Sequence, residues 1–155
     1  MRKTLSICGC VWALALPLLA QSNDDDKTLR VFIFAGQSNM VGSDSKVKDI
    51  KRFPPYIGLE APQENVLFTY CIGRQNKMRS DGWVSLQHVN NVVGPELSFA
   101  RKINRHIKAP IAIIKVAAGG THLGGDWNPD QPIGFKMYPL ALETIRAALA
   151  DLDKQ

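Results

Sequence analysis

Cysteine is scarce in this sequence. Cys8 and Cys10 sit in the N-terminal segment, and Cys71 stands alone in the interior. Paired cysteines at metal-binding spacing, H-E-x-x-H, a Walker loop and a G-x-S-x-G elbow are all missing. No metal or other cofactor is therefore expected. No run of five cations occurs either. The net charge is +5, falling to +3 without Arg2 and Lys3, and the cations are scattered. No nucleic-acid motif accompanies them, so they read as a solvated surface and no nucleic-acid partner is expected. Aromatic residues make up 8% of the chain. The rest of the composition, 45% hydrophobic and 21% charged, suits one ordinary globular domain rather than disorder or a repeat array.

Long apolar runs are equally rare. Arg2 and Lys3 precede "TLSICGCVWALALPLLA", which is shorter than the roughly 18 residues that a membrane span needs. With Ala20 at a plausible cleavage point, residues 1–20 read as a signal peptide. Residues 21–28 then read as a flexible mature N-terminus and 29–155 as the folded domain. Export is expected, with no stable membrane span after cleavage. Removal of the leader leaves only Cys71, in the apolar run "VLFTYCIG", where a buried structural thiol is expected.

What is present is an alternation of strands and helices. Apolar runs at about 29–35, 65–72 and 110–117 read as strands. The first is nearly continuous in apolar character, as for a strand covered on both faces. Residues 42–64 are rich in proline, glycine and charge and read as a long functional loop. "GRQNKMRSDGW" reads as a turn-rich return. "GPELSFARKINRHI" reads as a helix, with Pro95 at its first turn and Leu97, Ala100, Ile103 and Ile107 on one face. "MYPLALETIRAALADL" reads as a last helix with Leu142, Ile145, Leu149 and Leu152 on one side. This order implies an α/β fold with a parallel sheet, and a working site beyond the carboxyl ends of its strands. Three strands make a small sheet, so a shortened version of a larger domain is expected.

The first strand ends in "AGQSNMVG". Gly36 permits a sharp turn, and Ser38 then projects from the sheet edge. Backbone N–H groups just past a strand end can bind an oxyanion, which suits a serine nucleophile for acyl transfer. The same residues also suit a plain Ser/Asn turn whose hydroxyl serves local amides. On these residues alone both readings stand.

"FIFAGQSNMVG" resembles the first block of the SGNH (GDSL-like) hydrolases, in the form typical of the sialate O-acetylesterase and acetylxylan esterase branch. "VVGPELSFARKI" resembles its second block, and "IIKVAAGGTHLGGDW" the strand and loop that follow. The resemblance implies a three-layer, flavodoxin-like SGNH architecture lacking its C-terminal part. It implies a secreted carbohydrate O-acetylesterase acting on an acetylated carbohydrate. Ser38 would be the nucleophile, with its own N–H and that of Gly94 as oxyanion donors. Gln37 and Asn39 would flank the nucleophile, Gly119, Gly120 and Thr121 would line the cleft, and Trp127 would pack against a sugar. The family's Q-G-E strand and D-x-x-H block, which supplies the catalytic base, have no counterpart here. The expectation is therefore a weakened or inactive esterase. The alternative is a non-catalytic carbohydrate-binding remnant or a gene fragment. His122, with Asp126 nearby, lies on the catalytic side, but the family does not place its base there. His88 and His106 read as structural and surface residues.

Overall fold

The structure is a computed structural model describing residues 28–75 and 77–154. The leader and most of the proposed mature N-terminus lie outside the described residues. The core is a five-stranded sheet in which β1 (Arg30–Gly36), β5 (Ile111–Ala117) and β2 (Gln63–Ile72) run parallel, in that order. Two short strands return antiparallel along the outer edge of β2. These are β3 (Met78–Arg79), inside the segment read as a turn-rich return, and β4 (Val84–Leu86), just after it. The sheet is thus mixed but mostly parallel.

β5 lies in the middle because its sequence, IAIIKVA, can be buried on both faces, and all seven residues are buried. Ile111 and Ile113 face one layer. There α2 (Pro95–Ile103) inserts Leu97 and Ala100 beside Val66 and Phe68. The Phe99 ring meets Phe32 and Phe34 edge-on, at centroid distances of 4.9 and 5.2 Å. Val116 and Ala118 belong to the opposite layer, where Cys71 packs with Met137, Leu140 and Ala141 of α3 (Met137–Leu152). Helix, sheet and helix give three layers. The buried thiol of Cys71 is pushed above its usual value by desolvation, as befits a core residue.

Three expectations about packing need correction. β1 is covered on one face only: its burial alternates, and Val31 and Ile33 are 37% and 53% exposed. Among the described residues it pairs only with β5, so it is an edge strand. The buried side of α3 is Met137, Leu140, Ala141 and Ala148 rather than the leucine stripe, and Leu149 is exposed. α2 ends at Ile103, so Ile107 lies beyond it in an irregular turn.

The 42–62 loop is built rather than loose. It contains two 3-10 turns, Val47–Arg52 and Pro54–Tyr56. Ile50 and Leu59 anchor it in the core. Arg101 of α2 donates from its guanidinium to the carbonyls of Ile57, at 2.7 Å, and Pro55.

Candidate functional site

β1 and β5 run parallel with Gly36 opposite Ala117. Two residues further along each strand come Ser38 and Gly119, so the register itself makes them neighbours. A Cβ on Gly119 would lie 3.7 Å from that of Ser38. Gly36 is still in the strand, and the chain turns only after it. What its missing side chain does is admit Met40, whose Cβ would approach a Gly36 Cβ to 3.0 Å.

Ser38 opens a single helical turn, α1 (Ser38–Val41), which ends on Gly42 at φ 85°. That left-handed conformation favours glycine, and the space does too: a Cβ there would sit 2.5 Å from the Val93 carbonyl and 2.8 Å from Gly94 Cα. The Ser38 turn therefore rests directly on the segment that carries Gly94, the N-cap of α2. Among the described residues, no acceptor takes the backbone N–H of Ser38 or of Gly94. Ser38 itself is half-buried, and its hydroxyl donates to Gln37 Oε1 at 3.0 Å.

Beneath Gly94 lies a buried ion pair absent from the sequence expectations. Lys115 Nζ, on β5, is 2.7 Å from Glu96 Oε2, and each side chain is 1% exposed. Lys115 also reaches the Val41 carbonyl at 3.4 Å. The pair thus ties the central strand to the start of α2 and the end of α1. A side chain on Gly94 would collide with both charged groups. Burial pushes the Lys115 ammonium below its ordinary value, and the facing Glu96 carboxylate opposes that shift. A lysine inside the apolar run "IAIIKVA" was the available sequence signal.

The loop after β5 carries the other expected residues, in mixed roles. Gly119 is half-buried and Gly120 exposed. Thr121 is buried, and its hydroxyl donates to the Ala118 carbonyl at 2.8 Å and accepts from Trp127 Nε1 at 3.1 Å. Trp127 is half-buried against the α3-side core. Only its uncovered part is left for a ligand. Asn39 is exposed and borders a cleft of about 520 Å³ with Lys46, Phe53, Tyr56 and Gly94. This cleft, walled by the 42–62 loop, is lined by Asn39 and Gly94 but not by Ser38 itself. Its volume falls in the range of small-molecule sites. The sequence reading found the loop but not this cavity.

The histidines stand apart from the hydroxyl. Among the described residues no imidazole bonds to Ser38 Oγ. His88 is half-buried with Nδ1 unpartnered, and His106 is exposed. His122 is 67% exposed, with Nε2 3.7 Å from Asp126 Oδ2. Asp126 serves the loop instead: it accepts from the N–H of Phe135 at 2.7 Å and of His122 at 3.1 Å. The Phe135 bond leads in holding this carboxyl below its ordinary value, and the His122 bond adds to it. No cluster of three or more candidate metal ligands occurs among the described residues.

The sequence model of a family described as "Carbohydrate esterase, sialic acid-specific acetylesterase" matches residues 28–154. The chain belongs to that family. No curated protein matches the sequence. Among solved structures, a protein from Arabidopsis thaliana is similar at 21% identity and a TM-score of 0.49. The alignment covers 75% of this chain and 49% of that one, so the chain spans about half the length of the plant protein.

Proposed function

We propose that this chain carries the nucleophile and oxyanion elements of a serine esterase that removes O-acetyl groups from carbohydrates. The observation that carries the reading is Ser38 beside Gly119, on a one-turn helix whose closing Gly42 packs against Gly94, with the N–H groups of Ser38 and Gly94 both without acceptors in the described chain. In the proposed reaction Ser38 Oγ attacks the acetyl carbonyl and the sugar hydroxyl leaves. The negative charge that develops on the carbonyl oxygen is met by those two amides. Water then releases acetate from the acyl-serine. Gln37, Asn39, Gly119 and Gly120 form the immediate surroundings of the acetyl group. Thr121 and Trp127 hold the loop, with Trp127 offering its uncovered part to the sugar. Family membership supports a carbohydrate ester as substrate. The charged start and apolar core of residues 1–20 support export, and no helix among the described residues is long and apolar enough to cross a membrane.

The Ser38 hydroxyl bonds to an amide rather than an imidazole, which favours a slow reaction. Oxyanion donors alone sustain a residual rate above water of roughly 10³–10⁴-fold in serine proteases stripped of their triad. The test is hydrolysis of 4-nitrophenyl acetate and of an O-acetylated sugar by the wild type and by Ser38→Ala. Turnover lost in the variant supports the proposal; equal turnover in both overturns it. The same hydrogen bond favours a second reading, a carbohydrate-binding module without turnover. Calorimetric binding of the acetylated sugar, with no acetate released, would establish it.

A further inference from the structure

An acetyl group at Ser38 leaves the cleft of about 520 Å³ unfilled, because Ser38 does not line it. The cleft wall is fixed at both ends of the 42–62 loop. At the near end the loop is clipped to the segment before α2. The Val93 N–H donates to the Ser45 carbonyl at 2.9 Å, and the Val47 N–H to that of Asn91 at 3.1 Å. At the far end Leu59 sits in the core, and Arg101 holds the carbonyls of Pro55 and Ile57, on either side of Tyr56. The Tyr56 ring is 47% exposed and lines the cleft. The neighbouring Phe53 ring has Arg52 over it, 5.8 Å from its centroid. Among the described residues no ring or cation meets Tyr56, and its hydroxyl has no hydrogen-bond partner. The charges of the lining cancel, Asp44 and Asp49 against Lys46 and Arg52. Asp49 and Arg52 pair with each other at 3.4 Å. Among the described residues the side chains of Asp44 and Lys46 have no partner.

We propose that this cleft is a second sugar subsite, which holds an uncharged ring adjoining the acetylated one, with Tyr56 as its stacking platform and Asp44 and Lys46 as partners for its hydroxyls. This rests on the carbohydrate-esterase reading of Ser38. A pyranose presents apolar C–H faces and a rim of hydroxyls. A tyrosine with a free face and a free hydroxyl matches both. A carboxylate accepts from sugar hydroxyls, and an ammonium donates to them. A lining whose charges cancel favours neither an anion nor a cation, so the ligand it suits is uncharged. The volume is that of a site for a whole small molecule rather than for an acetyl group. Walls fixed before the ligand arrives lower the entropy lost on binding. Asn39 adjoins Ser38 in the chain and Gly94 is a proposed oxyanion donor, so one bound carbohydrate spans both places. The site therefore favours acetyl groups carried on oligosaccharides over those on single sugars.

The test measures binding to the full chain by calorimetry and amide-shift titration. The probes are cellobiose, xylobiose and lactose as uncharged disaccharides, with glucuronic acid and phenol as a charged sugar and a plain aromatic. At least one disaccharide should bind and shift the amides of Asp44, Lys46, Tyr56 and Ser98, and should bind more tightly than glucuronic acid or phenol. Tyr56→Ala should weaken that binding about tenfold or more, with the melting temperature close to that of the wild type because the ring is exposed. Tyr56→Phe keeps the platform and should retain most of the affinity. Ser98→Trp fills the cleft from α2 and should abolish binding. No disaccharide bound, shifts confined to other residues, or affinity that survives both Tyr56→Ala and Ser98→Trp would overturn the proposal. So would tighter binding of glucuronic acid or phenol, or a Tyr56→Phe variant as weak as Tyr56→Ala. The two proposals fail separately. Ser38-dependent turnover with no disaccharide in the cleft leaves the esterase standing without this inference. Tyr56-dependent binding without turnover does the reverse.

Discussion

Breaking the Lys115–Glu96 pair should be one of the most damaging single changes available in this chain. At 2.7 Å and an effective dielectric of 20, the gross attraction is about 6 kcal/mol. Removing both charges from water costs several kcal/mol each, so the net contribution of the intact pair is small. The single replacements behave differently. Lys115→Met leaves the Glu96 carboxylate buried with no counter-ion, and Glu96→Gln leaves the ammonium so. Each should cost roughly 3–5 kcal/mol. In a chain of this size that lowers the melting temperature by about 6–20 °C. Replacing both groups together, Lys115→Met with Glu96→Leu, removes the unpaired charge and should recover most of the loss. Urea unfolding of the wild type, Lys115→Met, Glu96→Leu and the double variant gives the cycle. The singles should be strongly non-additive. A loss under about 1 kcal/mol in either single, or effects that simply add, would mean that the two groups are not buried against one another. The double variant also separates stability from placement. If the pair serves only to hold Gly94 and Val41 together, a stable double variant with well-packed side chains keeps the Ser38-dependent rate.

Three further outcomes follow from the same geometry. Gly42→Ala forces a left-handed alanine, which costs roughly 1–2 kcal/mol from the backbone alone, and adds a clash with the Val93 carbonyl; urea unfolding should show a larger loss than for alanine at exposed Gly124, where a Cβ meets nothing within 4 Å. Phe99→Ala removes the ring that meets Phe32 and Phe34 and should destabilise by about 3–5 kcal/mol, read from the same unfolding curves. Asp126 has a carboxyl held below its ordinary 3.8, so its stabilisation is complete above that value and is lost as pH falls through the lower, folded one; the melting-temperature gap between wild type and Asp126→Ala should therefore be constant near neutrality and close below about pH 4.

The fold was readable where pattern and burial coincide. "PIAIIKVA" and "NVLFTYCI" form the buried parallel strands, and α3 spans the residues whose helical pattern marked it. Face and edge were harder. The sequence marks leucines, but the side of α3 against the sheet is built of Met137, Leu140 and two alanines, which allow close approach. β1 has the apolar run of a fully buried strand, yet half of it faces outward. An apolar run like that of β1 suits an edge strand as well as a central one, so the run alone does not mark the position. β3 and β4, of two and three residues, exist only because the edge of β2 gives them a hydrogen-bond ladder. No local pattern marks so short a pairing.

The site was legible as blocks and not as an assembly, for a related reason. Its parts sit at residues 38, 94 and 119, and three separate devices bring them together. The β1–β5 register sets Ser38 beside Gly119, two positions beyond the Gly36–Ala117 pair. The left-handed Gly42 lets α1 close on Val93 and Gly94. The buried ion pair fastens the start of α2 to the strand between them. A slip of one residue in the register would turn every β1 side chain to the opposite face. Phe32 and Phe34 would leave Phe99, and Val31 and Ile33 would take their place in the core. The aromatic contacts of the helix layer therefore fix the register that sets Ser38 beside Gly119. The core of this protein and the placement of its candidate nucleophile are specified by the same side chains.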